Sequence, residues 1–345
     1  MSHQIDDPAL PQGSLVLVTG ANGFVASHVV EQLLLHDYRV RGTVRSVNKI
    51  EGLKKRWDEM FPNQFEYVEV PDILKEGAFN EAMLGCAGVA HVASNVSFST
   101  ELDVVVADAV GGTLNALRSA AATPSVKRFV LTSSIVAVGS LGNGQRYGQD
   151  DFNLESIERA KTLPEDDPGK AHQVYSSSKT QAELAAWKFV KENKPTFVLN
   201  SVCPAFCLGQ ILQPEGEVGS SAGIAKGLFL SQRIVTGAVH ELPQKYFVSV
   251  VDISLLHVGA LVLSEIKNKR LIGSAHPANW NEILAIFRAR FPNKTFYPDV
   301  PNATVPSPES VFDTGNSLYV LQRMGKDEAW TSLDQAVLEL VTPFA

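Results

Sequence analysis

Short apolar runs alternate with longer amphipathic stretches through the first two hundred residues. "SLVLVTG" (Ser14 to Gly20), "YRVRGTV" (Tyr38 to Val44) and "QFEYVEV" (Gln64 to Val70) are β-branched and bounded by Gly, Pro or Ser. So are "GVAHVAS" (Gly88 to Ser94), "KRFVLTSS" (Lys127 to Ser134) and "TFVLNSV" (Thr196 to Val202). These read as strands. Between them, helical spacing of apolar positions predicts helices over Phe24 to Leu35, Asn48 to Met60, Phe79 to Leu84, Leu102 to Ala122 and Val174 to Glu192. Strands that alternate with helices imply crossover connections, so the expected fold class is α/β, a Rossmann-type doubly wound parallel sheet. After Pro204 the segments shorten and Gly, Ser and Pro punctuate more often. A strand at "YFVSV" and helices over Asp252 to Ile266, Trp280 to Arg290 and Ser332 to Val341 still fit. Residues 1–204 thus read as the large domain, with 246–266 returning to it. Residues 205–245 and 267–345 read as a smaller C-terminal substrate-binding lobe over the sheet's carboxyl edge.

The first strand runs into "TGANGFVA". A new helix has unpartnered amides and a dipole that favours negative charge at its start. Gly20 permits a tight turn, Gly23 lets a pyrophosphate approach the backbone, and the small Ala26 keeps the helix close to the strand. The context of strand, turn and helix is the one a dinucleotide site requires. At the end of the second strand an NAD site usually offers a carboxylate to the ribose, whereas this chain offers "GTVRSVNK". Arg45, with Lys49 a helical turn on, suits a 2′-phosphate that a carboxylate would repel. The expected cofactor is NADPH.

"VYSSSKTQAELAAWKF" holds Tyr175 and Lys179 four residues apart, on one face of a helix. A free phenol titrates near ~10, and a neighbouring ammonium is expected to lower that value toward general acid–base use. Ser133 and Ser134 follow a strand on the same edge as the glycine turn, and either hydroxyl could donate to a carbonyl. No G-x-S-x-G elbow points to a serine hydrolase, and His91 is expected to pack rather than to react.

Composition narrows the classes further. A formal charge of −7 with scattered cations argues against a nucleic-acid partner. No stretch approaches the ~20 apolar residues of a membrane span. The first fourteen residues carry Asp6 and Asp7 without an apolar core, so no signal peptide and a cytoplasmic setting are expected. Cys86, Cys203 and Cys207 are expected to be buried thiols, not metal ligands.

Together "TGANGFVA", "GTVRS", "GVAHVAS", "TSS" and "YSSSK" resemble an extended short-chain dehydrogenase/reductase. Over nearly the whole chain the sequence is similar to fungal NADPH-dependent aldehyde (carbonyl) reductases of the dihydroflavonol-4-reductase-like branch. The resemblance implies a triad of Ser134, Tyr175 and Lys179, with Tyr175 protonating the carbonyl oxygen as hydride arrives. It implies that Lys179 holds the nicotinamide ribose, and that Gly20, Asn22, Gly23, Phe24 and Val25 form the pyrophosphate loop. It also assigns Arg45 and Lys49 to the 2′-phosphate, Asp72 and Ile73 to the adenine, Ala93 and Ser94 to the cofactor-lining segment, and Pro204 to the strand end beside the nicotinamide. The stretch after "TSS", Ile135 to Asn153, is of variable character, and substrate contacts there do not carry over.

A mostly apolar pocket is expected from Asn95 to Phe98, Ile135 to Val138, Phe206 to Leu208 and Gly223 to Phe229. That suits a small uncharged carbonyl substrate, handled by a monomer or homodimer. Two rival readings share the fold. One is an NAD-dependent sugar-nucleotide epimerase or dehydratase, which would have an acidic residue where Arg45 stands. The other is a non-catalytic NADP-sensing regulator, which would lack the Tyr175 and Lys179 pair.

Overall fold

The four residues of β1 (Leu15–Val18) send side chains to both sides of a sheet. Val16 and Val18 enter one core, while Leu15 and Leu17 enter another, as a strand buried on both faces requires. The computed structural model describes residues 5–94, 99–213, 220–230, 245–299, 310–327 and 330–345. After β1 come α1 (Phe24–Leu35), β2 (Arg39–Val44), α2 (Glu51–Met60), β3 (Phe65–Glu69) and β4 (Gly88–His91). The chain continues through α3 (Leu102–Ala121), β5 (Arg128–Thr132), β6 (Arg146–Tyr147), α4 (Leu154–Thr162) and α5 (Lys170–Asn193). Next lie β7 (Val198–Pro204), β8 (Phe206–Leu208), α6 (Ser220–Phe229), β9 (Lys245–Ser249), α7 (Val250–Val262) and β10 (Arg270–Gly273). The last elements are β11 (His276–Ala278), α8 (Trp280–Arg290), β12 (Val311–Phe312), α9 (Gly315–Arg323) and α10 (Leu333–Val341).

Seven strands form the central sheet in the order β10-β7-β5-β4-β1-β2-β3, every neighbouring pair parallel. This is the doubly wound sheet expected from the alternating pattern. α1 and α7 pack on one face, and α3 and α5 on the other. Because all seven strands run the same way, every loop that follows a strand emerges at one edge. The strand order reverses between β1 and β4, where open α/β sheets bind ligands.

A second sheet, β11-β9-β8, supports the smaller core. There Phe229 contacts Phe287 and Phe291, each with ring centroids 5.1 Å apart, and α6, α8 and α10 close around it.

Several expected boundaries move. α5 starts at Lys170 rather than Val174, so Tyr175 stands in its second turn. Phe79 to Leu84 is a run of turns and not a helix, confined between Gly77 and Gly85, both at positive φ. Asn48 to Met60 divides into a short 3₁₀ turn, Val47–Lys49, and α2. β10, which the change of texture placed in the smaller lobe, is instead the outermost strand of the central sheet beside β7. Its four residues are too few to show a period. α4, capped by the Asn153 side chain on the Ser156 amide, was not anticipated either. Among the described residues, no helix is long and apolar enough to cross a membrane.

Gly259 lets α7 and α9 touch, since a Cβ there would overlap Val320 and press on Met324. Gly259→Ala is therefore expected to destabilise the fold by about 1–3 kcal/mol, read as a lower denaturation midpoint.

Candidate active site

The β1–α1 turn is built for close approach. Gly20 has φ +69°, and a Cβ there would meet the Ala93 Cβ at 3.2 Å. The Gly23 amide donates to the Gly20 carbonyl at 2.8 Å, and a Cβ on Gly23 would crowd that same oxygen. Gly23 is the N-cap of α1, with no side chain capping the helix and no acidic residue in its first turn. The start of α1 therefore carries its dipole charge uncompensated by side chains, and Gly23 is exposed with Asn22, Phe24 and Val25 partly so. Ala26 is buried in the core below.

Thr19 braces the turn. Its Oγ1 accepts from the amides of Val92 and Ala93 at 3.0 and 2.9 Å and lies 3.1 Å from His91 Nδ1. With both amides donating to it, the hydroxyl proton points to the imidazole. Burial holds His91 down to about 3, so the ring is neutral and packs, as expected. The same bonds end β4 at His91 and carry Ala93 and Ser94 across toward the turn, whereas the sequence pattern extended that strand to Ser94.

Arg45 and Lys49 are exposed beyond the end of β2, and neither has an ion-pair partner among the described residues. Arg41, by contrast, is committed to Glu66 and to the Ala82 and Leu84 carbonyls. Asp72 follows β3 and caps the Leu74 amide, and Ile73 lies against Gly112 of α3. Pro204 closes β7, in register with Gly273. All the sequence-derived cofactor candidates thus gather at the carboxyl edge.

The candidate proton-handling residues sit deeper. Ser134 has extended backbone and caps a short 3₁₀ turn, and its side chain shares a hydrogen bond with Tyr175. Ser133 turns elsewhere: its Oγ donates to Glu183 Oε2 at 2.6 Å. The two serines, equivalent in the sequence, thus have different partners in the fold. Lys179 is buried one helical turn from Tyr175. The expected pull of Lys179 on the phenol is not what governs it. Burial raises Tyr175 above its ordinary value, and the Ser134 hydrogen bond is what opposes that rise. Lys179 is itself desolvated, which brings its ammonium down to about 8 although the Glu183 carboxylate pulls it up.

Glu183 was not singled out from the sequence, although it continues the four-residue step from Tyr175 through Lys179. It is fully buried, held by Arg270, Ser133 and Ser201. Burial alone would raise its pKa, but the Arg270 guanidinium and these hydrogen bonds hold it below the usual value. All three cysteines are buried free thiols, pushed up by burial to about 11 for Cys86 and about 12 for Cys203 and Cys207.

Of the expected pocket, Asn95 to Phe98 lies outside the described residues. Ile135 to Val138 is fully buried core, while Phe206 stays half-buried, edge-on to Trp280 and Phe247. Gly223 to Phe229 forms most of α6, with Gly223, Ile224, Lys226 and Gly227 partly exposed.

Residues 16–217 match the model of the NAD dependent epimerase/dehydratase family. The chain belongs to that family. Aldehyde reductase 2 of Sporidiobolus salmonicolor is 53% identical over 341 residues, 98% of each chain. Ketoreductase adrE of Penicillium rubens is 35% identical over 96% of each chain. Among solved structures, yeast methylglyoxal/isovaleraldehyde reductase Gre2 complexed with NADPH superposes with a TM-score of 0.79 at 27% identity, covering 95% of this chain and 97% of that one. The kinship with extended short-chain reductases expected from the motifs is borne out.

Removing the one hydroxyl that opposes the burial of Tyr175 should be visible directly. In Ser134→Ala, a tyrosinate absorbance titration is expected to show one phenol moved to higher pH than in the wild type, with the fold intact.

Proposed function

We propose that this protein reduces aldehydes and activated ketones, such as 3-oxo esters and aryl ketones, to alcohols with NADPH as the hydride source. The observation that carries this reading is the Tyr175 hydroxyl. It shares a hydrogen bond with Ser134 and lies one helical turn from Lys179, at the edge where the β1–α1 turn opens. The names of the relatives at 53% and 35% identity, and NADPH in the Gre2 complex, support it.

The residues present fit a phosphorylated dinucleotide. Gly20, Asn22, Gly23, Phe24 and Val25 would hold the pyrophosphate, and Arg45 and Lys49, free of ion pairs among the described residues, would hold the 2′-phosphate. Asp72 and Ile73 would border the adenine, and Ala93, Ser94 and Pro204 would line the rest. Bound there, NADPH supplies a hydride to the carbonyl carbon. Tyr175 gives its proton to the carbonyl oxygen, and Ser134 donates a hydrogen bond to the same oxygen as charge develops on it. Lys179 holds the ribose and offers a positive charge near the phenolate that forms. The half-buried Phe206 and the partly exposed residues of α6 give the substrate side an apolar wall.

The family description also covers NAD-dependent epimerases and dehydratases, and one relative at 37% identity bears that name. Arg45 weighs against that reading, since it occupies the position from which a carboxylate would bind an unphosphorylated ribose. In our reading the enzyme works in the cytoplasm as a monomer or homodimer, with residues 1–204 as the NADP-binding domain and the later segments as a substrate lobe, apart from 246–266 and β10.

NADPH oxidation across a panel of aldehydes, aryl ketones and 3-oxo esters tests the reading, and turnover of none of them would sink it. Tyr175→Phe is expected to lower kcat by about 10²-fold or more while NADPH affinity, followed by fluorescence, changes less than about twofold. Arg45→Ala is expected to weaken NADPH binding by about 10–100-fold and to leave NADH binding nearly unchanged. Equal loss for both cofactors would contradict the 2′-phosphate role.

A further inference from the structure

Tyr175, Lys179 and Glu183 stand at successive four-residue steps on α5. The buried Glu183 carboxylate reaches three adjacent strands of the sheet. From the end of β5, Ser133 Oγ donates to Oε2 at 2.6 Å, and from β7, Ser201 Oγ donates to Oε1 at 2.6 Å. From β10, Arg270 donates through Nε to Oε1 at 2.7 Å and through a second nitrogen to Oε2 at 3.0 Å. Arg270 is itself fixed by the carbonyls of Gln149 and Asp151 and lies over the Phe152 ring at 4.0 Å. A buried ion pair of this kind adds little net stability compared with apolar packing, so its value lies in what it positions.

We propose that Glu183 is a positioning residue for carbonyl reduction. It clamps the end of β5 to α5, so that Ser134 meets the Tyr175 hydroxyl, and it places a negative charge one turn from Lys179 that keeps this amine protonated. The proposal rests on the reductase reading above. The clamp works through adjacency: Ser133 is bonded to Glu183, and Ser134, the next residue, is bonded to Tyr175.

The charge works because, among the described residues, the rest of the Lys179 surroundings is neutral or positive. β4 presents His91, which is neutral, and α3 presents only Ala109 and Thr113 to the small cavity beside Lys179. β5 adds Thr132 and Ser133 there. β7 contributes Cys203, whose thiol stays protonated because burial pushes it up to about 12. Tyr175 is neutral, and Arg270 from β10 is a second cation. Glu183 is the stable anion of this group, and without it burial would act on Lys179 unopposed by any neighbouring negative charge.

Two variants, each assayed for fold by near-ultraviolet circular dichroism, test the proposal. NADPH dissociation constants and kcat/KM for NADPH are measured across pH for the wild type, Glu183→Gln and Ser133→Ala. In Glu183→Gln the pH above which NADPH affinity and kcat/KM decline is expected to fall by about half a unit or more. In Ser133→Ala, kcat is expected to fall about 5–10-fold with KM for NADPH unchanged, because only the alignment of Ser134 is lost. A folded Glu183→Gln with an unmoved alkaline limb overturns the electrostatic half, and Ser133→Ala with kcat within about twofold of wild type overturns the clamp. If Glu183→Gln does not fold, the Ser133→Ala result decides alone. A wild type that binds NADPH yet reduces no carbonyl defeats the reductase reading instead, and the shift in NADPH affinity then still reports whether Glu183 acts on Lys179.

Discussion

A carboxylate held below its usual pKa lies sealed from solvent in the middle of this molecule. Glu183 is fully buried, and a carboxylate taken out of water is costly unless protein groups replace its hydration. Here a bidentate guanidinium and two hydroxyls do so, each from a different strand of the sheet. Losing any one partner would leave part of that charge unsatisfied in a low-dielectric interior. The relative positions of β5, β7, β10 and α5 are therefore coupled, and the residues flanking Glu183 inherit that rigidity.

The site divides its tasks by depth. In the function proposed here, recognition of phosphate charge belongs to exposed groups, the open β1–α1 turn with Arg45 and Lys49, where solvent eases the approach of an anion. In the same proposal, proton chemistry belongs to groups withdrawn from water, where Tyr175 is held as the neutral phenol and Lys179 is brought within reach of physiological pH. Parallel strands make this division compact, because loops from distant parts of the chain must leave the sheet on the same side.

Much of this was legible in the sequence. Short β-branched runs marked six of the seven central strands, and Phe24 to Leu35 and Trp280 to Arg290 are helices as the periodicity indicated. The glycine turn and the Tyr175 and Lys179 step carried their geometry in spacing alone. What stayed hidden depends on burial and on distant partners. "RLIG" is too short to reveal a strand, and nothing local tells Arg270 that its partner lies on α5. Ser133 and Ser134 are equivalent as letters, and only the folded chain sends one to Glu183 and the other to Tyr175. The depression of Lys179 is likewise a desolvation effect, invisible to spacing. Read this way, Glu183 was the missed signal: a third step in the same stripe, already written in "YSSSKTQAE".

Arg270 follows Glu183 by 87 positions in the chain. During synthesis the ribosome delivers the glycine turn, the serines and the whole of α5 well before it delivers β10. Over that interval the carboxylate has no guanidinium, and sealing it into an apolar interior would leave it uncompensated. Until the seventh strand docks, that carboxylate escapes the burial cost only by staying in water or by taking up a proton. Of the three partners Ser133, Ser201 and Arg270, the guanidinium that completes the pairing is the last to be made.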